Sequence, residues 1–142
     1  MNIGEIMTGN VISIREDESV SAAAKLLKRN NIGSLPVHDS RGKLKGIVTD
    51  RDIVLRCVAA DEDASVIKVS EIMSRNLVTA DSSDSTEKVS QKMASSRVRR
   101  LPVTEGGMLV GIVALADIAR SADCKMEAAK ALTEISGNFR KA

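Results

Sequence analysis

The two prolines of this chain lie in the same tripeptide, which occurs twice. Leu35-Pro36-Val37 in the first half recurs as Leu101-Pro102-Val103 in the second half. Other short motifs recur in the same order: Ile6-Met7-Thr8 as Ile72-Met73-Ser74, Gly46-Ile47-Val48 as Gly111-Ile112-Val113, and Asp52-Ile53 as Asp117-Ile118. Similar segments at a constant spacing indicate a duplicated structural unit. The sequence therefore predicts two related units about a pseudo-twofold axis, with two related clefts in which small molecules can bind.

Each copy predicts the element order strand, helix, strand, strand, helix, which gives a mixed α/β (α+β) fold with units packed through their sheets. In the first copy, apolar and β-branched runs predict strands, and apolar residues at helical spacing predict helices. The predicted strands of this copy are 11–14, 34–38 and 44–49, and its helices are 20–30 and 50–60. The second copy predicts strands 77–80, 100–103 and 108–114, a helix opened by a capping box of Asp84 and Glu87, and a helix beginning near Ala116.

A further helix, from Lys125 to Ile135 and capped at Gly137, has no counterpart in the first copy. Met126, Ala129, Leu132 and Ile135 recur in it at helical spacing. This apolar stripe predicts either a contact with a second copy of the chain or a cover over the core of its own unit. The predicted division is therefore 1–66 for the first repeat, 67–121 for the second, and 122–142 for the C-terminal helix and tail.

Composition excludes several classes of function. Phe139 is the only aromatic residue among Phe, Trp and Tyr, and 21 basic residues face 19 acidic ones for a net charge of +2. Base stacking needs aromatic platforms and backbone binding needs excess positive charge, so nucleic acid is not an expected partner. The apolar runs are too short to span a membrane, and no signal segment opens the chain, so we expect a cytoplasmic protein. Cys57 and Cys124 are accordingly expected to be reduced thiols.

No catalytic or metal constellation is visible. His38 is the only histidine, so it would have to serve any triad or zinc site, and its distance in sequence from the two cysteines matches no zinc motif. Phosphate-binding and dinucleotide-binding glycine motifs are absent as well. We therefore expect neither an enzyme nor a bound metal nor a required cofactor.

The motifs Ile6-Met7-Thr8, Leu35-Pro36-Val37 and the segment GIVTDRD at 46–52, together with their second copies, resemble the cystathionine-β-synthase (CBS) domain. Two such domains in tandem form a Bateman module, and the resemblance covers residues 3–121. It implies a regulatory module, without a fused effector domain, that binds an adenosine-containing ligand. It also implies a homodimer, and an output through that oligomer or an unknown effector protein.

Thr49 and Asp52 stand where the third strand gives way to a helix. By themselves they predict a capping box, in which each side chain bonds the backbone amide of the other residue. The resemblance implies a second role, in which Asp52 accepts hydrogen bonds from ribose hydroxyls while Thr49 and nearby amides donate to a phosphate. In the second copy Asp117 remains, but Ala114 replaces the threonine, so one phosphate donor is lost there.

Arg97, Arg99 and Arg100 precede the second Leu-Pro-Val motif. They predict either a solvated basic strand end or a phosphate contact, since guanidinium groups match phosphate oxygens well. The resemblance implies that Arg99 and Arg100 lie beside the cleft of Thr49 and Asp52. The same resemblance completes this main site with the aliphatic residues that would hold the base: Ile47, Val78 and Val98. It implies a weaker second site built from Asp117, Ile112, Ile12, Gly33 and Ser34.

The sequence thus favours a regulatory module that binds an adenine nucleotide such as AMP, ADP or ATP. Two alternatives remain open. The module can be a structural or interaction module without a physiological nucleotide, or it can bind another adenosyl ligand, such as S-adenosylmethionine, NAD or a cyclic dinucleotide.

Overall fold

The computed structural model describes residues 1–121 and 125–137 and has mixed α and β structure. In chain order its elements are β1 (Ile14–Arg15), α1 (Val20–Asn30), β2 (Ser34–His38), β3 (Leu44–Thr49), α2 (Asp50–Ile53), β4 (Ala80–Asp81), α3 (Thr86–Ser96), β5 (Arg100–Glu105), β6 (Met108–Ala114), α4 (Leu115–Arg120) and α5 (Lys125–Gly137). The helix α2 continues directly as a π-helical segment, Val54–Val58. The predicted mixed fold with duplicated element order is confirmed.

Contacts divide the chain into two units. The first unit is Ile12–Leu77, and the second unit is Met1–Val11 together with Val78–Ala142. Each unit holds one three-stranded sheet, in the order β1-β2-β3 or β4-β5-β6. In both sheets the two-residue first strand runs parallel to the proline-containing strand, and the third strand runs antiparallel to it. The two sequence copies therefore build the same sheet.

Each unit has its own aliphatic core between the sheet and the helices. In the first unit Leu35, Val37 and Val48 of the sheet and Val20 and Ala23 of α1 are fully buried. The second unit repeats this arrangement with these buried residues: Leu101, Val103, Val113, Val89, Met93 and Ile118. Burying aliphatic side chains is worth about 1.5–3 kcal/mol each, and among the described residues both cores are built from aliphatic side chains, methionine and cysteine.

The repeated Ile-Met-Thr/Ser motif is exchanged between the sequence copies. Thr8 of the N-terminal motif pairs with Ile112 of β6, and the amide of Ile112 donates back to Thr8 at 3.0 Å. Ser74 of the later motif pairs in the same way with Ile47 of β3. The contact units thus differ from the division of the sequence repeat at residue 66, because each repeat's leading segment extends the sheet of the other repeat.

Glycine permits this crossing. A Cβ atom on Gly46 would lie 2.7 Å from both the Sδ atom of Met73 and the carbonyl oxygen of Ser74. On Gly111 it would lie 2.5 Å from Sδ of Met7. Both methionines therefore pack at the crossing, and they occupy equivalent positions in the repeat.

Four predicted elements have wrong bounds. The strands expected over 11–14 and 77–80 are only Ile14–Arg15 and Ala80–Asp81, because only these residues pair with the neighbouring strand. The helix expected over 50–60 is α-helical for one turn and then π-helical. The strand expected over 100–103 extends to Glu105.

The start of α3 also differs from its predicted capping box. Its N-cap is Ser85, whose hydroxyl accepts from the amide of Lys88 at 3.1 Å. Asp84 instead accepts from the amide of Asp81 at 2.9 Å and forms ion pairs with Lys88 and Lys92. That backbone hydrogen bond, aided by the lysines, lowers the pKa of the Asp84 carboxyl, although partial burial opposes the shift. Serine is an efficient N-cap, and in this helix Ser85 has the capping role that was predicted for Asp84.

The helix α5 covers the core of its own unit. Ala128, Ala131 and Ile135 are buried in the same cluster as Leu115 and Ile118. Of the predicted apolar stripe only Ile135 is buried, while Met126, Ala129 and Leu132 are exposed. In the described ranges no helix is long and apolar enough to cross a membrane. Cys57 is a buried free thiol, whereas Cys124 and Phe139 lie outside the described residues.

Candidate functional site

Thr49 and Asp52 form the predicted capping box at the start of α2. The amide of Asp52 donates to Oγ1 of Thr49 at 3.1 Å, and the amide of Thr49 donates to Oδ2 of Asp52 at 3.0 Å. Both side chains are half-buried. The capping interpretation is therefore correct as a description of the empty protein. Oδ1 of Asp52 accepts no hydrogen bond from the described residues, so one carboxylate oxygen stays open to a ligand.

Asp117 occupies the equivalent position in the second unit, but both of its oxygens are engaged. Oδ2 accepts from the amide of Ala114 at 2.8 Å, and Oδ1 accepts from Nη1 of Arg120 at 3.1 Å. Sequence reasoning anticipated the lost hydroxyl at Ala114 but missed Arg120. An Asp–Arg pair three residues apart on a helix was the available signal. The first repeat has Leu55 at the matching position, so Asp52 has no such partner.

Arg99 and Arg100 stand at the beginning of β5 in the second unit. The carbonyl of Arg99 accepts from the amide of Leu115 at 2.8 Å, and Arg100 pairs with Ala114. Both side chains are exposed and make no hydrogen bond or ion pair within residues 1–121 and 125–137. Two unpaired guanidinium groups therefore lie at the start of α4.

These arginines contribute to the lining of an apolar groove in the second unit. The groove has a volume of about 480 Å³. Its other lining residues belong to α4, to α5 and to the end of β6: Ala114, Leu115, Ala116, Ala119, Ala128, Ala129 and Leu132. The groove combines small apolar side chains with two basic ones, so it suits an apolar group that carries a negative charge.

The remaining predicted site residues divide between the units. Ile47, Ile12, Gly33 and Ser34 belong to the first unit with Thr49 and Asp52, and there Ser34 pairs directly with Thr49 across the β2–β3 ladder. The second unit contains the remaining predicted site residues, which are Val78, Val98 and Ile112 together with Arg99, Arg100 and Asp117. Each predicted site draws residues from both units, so its assembly stays a prediction.

His38 makes a local contact with the neighbouring residue. Its Nδ1 atom lies 2.8 Å from the carbonyl oxygen of Asp39, a purely local contact at the end of β2. Among the residues that the structure describes, no group of three His, Cys, Asp or Glu side chains could hold a metal ion.

A family model for the CBS domain matches residues 3–66 and 69–123, which is most of the chain in two consecutive copies. The chain belongs to the CBS domain family. The curated CBS domain-containing protein YhcV of Bacillus subtilis is 42% identical over 135 residues, or 95% of each chain. The resemblance inferred from the repeated motifs is therefore confirmed.

Solved structures of CBS pairs share the fold. Hypoxic Response Protein I, solved with two coordinated zinc ions, has a TM-score of 0.77 and 35% identity over 85% of this chain and 98% of that one. The CBS domain pair of protein MJ0100, solved with 5′-methylthioadenosine and S-adenosyl-L-methionine, has a TM-score of 0.70 and 33% identity over 84% and 98%. CBSX2, solved with AMP, has a TM-score of 0.73 and 26% identity over 85% and 95%.

Proposed function

We propose that this CBS pair is a regulatory, non-enzymatic module that senses an adenine nucleotide. The ligands of the MJ0100 pair and of CBSX2 support the adenosyl part of this proposal, since 5′-methylthioadenosine, S-adenosyl-L-methionine and AMP share an adenosine group. Our preference for a phosphate-bearing nucleotide comes from Arg99 and Arg100, which are unpaired within the described residues. The nucleotide is a regulatory ligand, and no cofactor is required.

The open Oδ1 atom of Asp52 is the observation that carries the proposal. The capping box holds this carboxylate at a fixed place, because Thr49 and Asp52 bond each other's amides. A ribose hydroxyl can donate to Oδ1 without breaking that box, and a hydrogen bond to a charged acceptor is worth about 1.5–3 kcal/mol. Oδ1 of Asp117 already accepts from Arg120, so it has one acceptor position fewer for a ribose hydroxyl. We therefore expect one dominant site that depends on Asp52, and a weaker one that depends on Asp117.

The other contacts follow from the chemistry of each ligand part. Arg99 and Arg100 would pair with phosphate oxygens through charge-assisted hydrogen bonds. The base would lie against Ile47, Val78 and Val98, because Phe139 is the only Phe, Tyr or Trp residue in the sequence and aliphatic side chains are the usual alternative contact. The weaker site would use Asp117 with Ile112, Ile12, Gly33 and Ser34. Signalling would pass through a homodimer or an effector protein, and a solved CBS-CP12 relative is described as hexameric.

The test is a melting panel followed by calorimetric titration. AMP, ADP, ATP, S-adenosylmethionine, NAD and cyclic dinucleotides are each added to the purified chain, because a ligand that binds only the folded state raises its melting temperature. Titration of the best ligand should give one strong event per chain. Asp52→Ala should weaken that event roughly 10- to 100-fold, as expected for about 1.5–3 kcal/mol.

Asp117→Ala is the matched control and should leave the strong event nearly unchanged. If no ligand shifts the melting temperature, the module is structural and the proposal fails. Equal loss of affinity in both variants would contradict the inequality of the two sites.

A further inference from the structure

A second groove lies between α1 and β1 of the first unit. Its volume is about 430 Å³, which is within the range of small-molecule sites, about 300–1,000 Å³. The lining residues come from the β1 region, from one face of α1 and from the end of β2: Ser13, Ile14, Arg15, Glu18, Ala22, Lys25, Leu26, Arg29 and His38. We call it the basic groove, because three of these residues are lysine or arginine and only one is acidic.

The positive charges of the basic groove converge from a helix and a strand. Lys25 and Arg29 are exposed on α1, and residues four apart lie on one helix face. Neither side chain has an ion pair or a hydrogen bond to another residue in the described part of the chain. Arg15 lies opposite His38 in the β1–β2 ladder. A cleft lined by charge of one sign concentrates ligands of the opposite sign.

Two acidic side chains adjoin the basic groove without cancelling its charge. Asp17 pairs with Arg15 at 2.9 Å, but both side chains are about half exposed, and an ion pair in contact with solvent contributes little. The guanidinium of Arg15 can therefore contact a second anion. Glu18 is the one acidic lining residue, and the apolar side chains of Ala22 and Leu26 also line the groove. The groove thus suits an anion that carries a carbon skeleton.

The second sequence copy shows that the fold does not require these charges. At the positions equivalent to the four basic lining residues, counting His38 among them, the second copy has acidic or uncharged residues: Asp81, Gln91, Ser95 and Thr104. Its helix α3 has the same length as α1, and its sheet has the same strand order. The basic cluster is therefore a feature of the first copy alone, which favours a role in binding over a role in folding.

The basic groove and the predicted nucleotide site lie at opposite ends of β2. Ser34 at the start of this strand pairs with Thr49, whereas His38 is its last residue. A strand rises about 3.3 Å per residue, so the two ends are roughly 13 Å apart. The groove shares no lining residue with either predicted nucleotide site, so it is a separate site.

We propose that the basic groove binds a small organic anion that carries two or more negative charges on phosphate or carboxylate groups. Lys25 and Arg29 pair with these groups from the side of α1, and Arg15 pairs with them from the side of β1. Ala22 and Leu26 contact the carbon skeleton. This binding is additional to the proposed sensing of a nucleotide.

Calorimetric titration with two small anions tests the site. Citrate carries only carboxylates, whereas phosphoglycolate carries one phosphate and one carboxylate, so their relative affinities identify the preferred group. We expect at least one of them to bind. Its affinity should fall as the salt concentration rises, because salt screens exposed charges. An oligoglutamate peptide is titrated in parallel.

The second copy supplies substitutions that its own fold accepts. Lys25→Gln and Arg29→Ser introduce the residues that stand at Gln91 and Ser95. Each change should weaken binding of the better anion about fivefold, and the two together should weaken it roughly tenfold or more. Unchanged melting temperatures without ligand check that the variants fold.

Lys28→Ala is the matched control, because Lys28 is exposed on α1 but does not line the groove. It removes the same charge as Lys25→Gln and should leave the affinity nearly unchanged. Equal weakening by these two changes would indicate general charge attraction and overturns the proposal.

Three other results also overturn it. They are the failure of both anions to bind, unchanged binding in the double variant, which would assign the anion to other cations such as Arg99 and Arg100, and tighter binding of the peptide than of either small anion. The last result would identify an acidic protein segment as the occupant. Neither small anion contains adenosine, so the outcome is independent of the nucleotide proposal.

Discussion

Leu55 and Arg120 occupy the same position of the repeat and affect the neighbouring aspartate differently. Leu55 is an exposed apolar residue that leaves the carboxylate of Asp52 open, whereas Arg120 donates to Asp117 at 3.1 Å. The guanidinium of Arg120 is on a side chain that is 76% exposed, so its ion pair is worth no more than about 1 kcal/mol. Arg120 thus weakens ligand binding at Asp117 without preventing it, so Asp117 belongs to the weaker of the two proposed sites.

Ala114 leaves the second capping box half complete, and this predicts a stabilising substitution. Ala114→Thr supplies the hydroxyl that the amide of Asp117 lacks, in the geometry that Thr49 and Asp52 adopt in the first unit. We expect the free energy of unfolding to rise by about 0.5–1 kcal/mol in urea denaturation.

Thr49→Ala is the reciprocal control and should cost a similar amount. If Ala114→Thr were neutral while Thr49→Ala was destabilising, the two helix starts would differ in more than their caps.

At the residue scale the sequence predicted what depends on near neighbours. Thr49 and Asp52 are three residues apart, so their capping box needs nothing beyond local backbone geometry. The same rule misplaced the cap of α3, because Ser85 and Asp84 are adjacent and both are good caps. Which one caps depends on the lysines and the Asp81 amide that hold Asp84.

At the scale of elements, the sequence predicted the strands that are fully paired. Ser34–His38 and Leu44–Thr49 have their predicted bounds because each residue type matches its place in a buried antiparallel ladder. The strand predicted at 11–14 is only Ile14–Arg15 in the structure, because the residues before Ile14 do not pair with β2. Where a strand begins to pair depends on its neighbouring strand, so the sequence of one strand alone does not determine its bounds.

The crossing at β3 predicts a site where one methyl group is destabilising. Gly46→Ala would place a Cβ atom 2.7 Å from the backbone oxygen of Ser74, and a backbone atom cannot rotate away. We expect a loss of about 1–3 kcal/mol in the free energy of unfolding, as for an overpacked core.

Gly9→Ala is the matched control, because its Cβ atom would have no neighbour within 4 Å. Equal effects of the two changes would show that the close contacts at the crossing add no steric cost at Gly46.

At the scale of the whole molecule, duplication was readable from the sequence but the exchange of segments was not. The motifs Ile6-Met7-Thr8 and Ile72-Met73-Ser74 are so similar that either could pair with β3 or with β6. Thr8 pairs with Ile112 and Ser74 with Ile47, and that choice is made by the path of the chain. The repeated sequence determines which motif pairs with which kind of strand. The connecting segments determine which copy of the motif reaches a given strand.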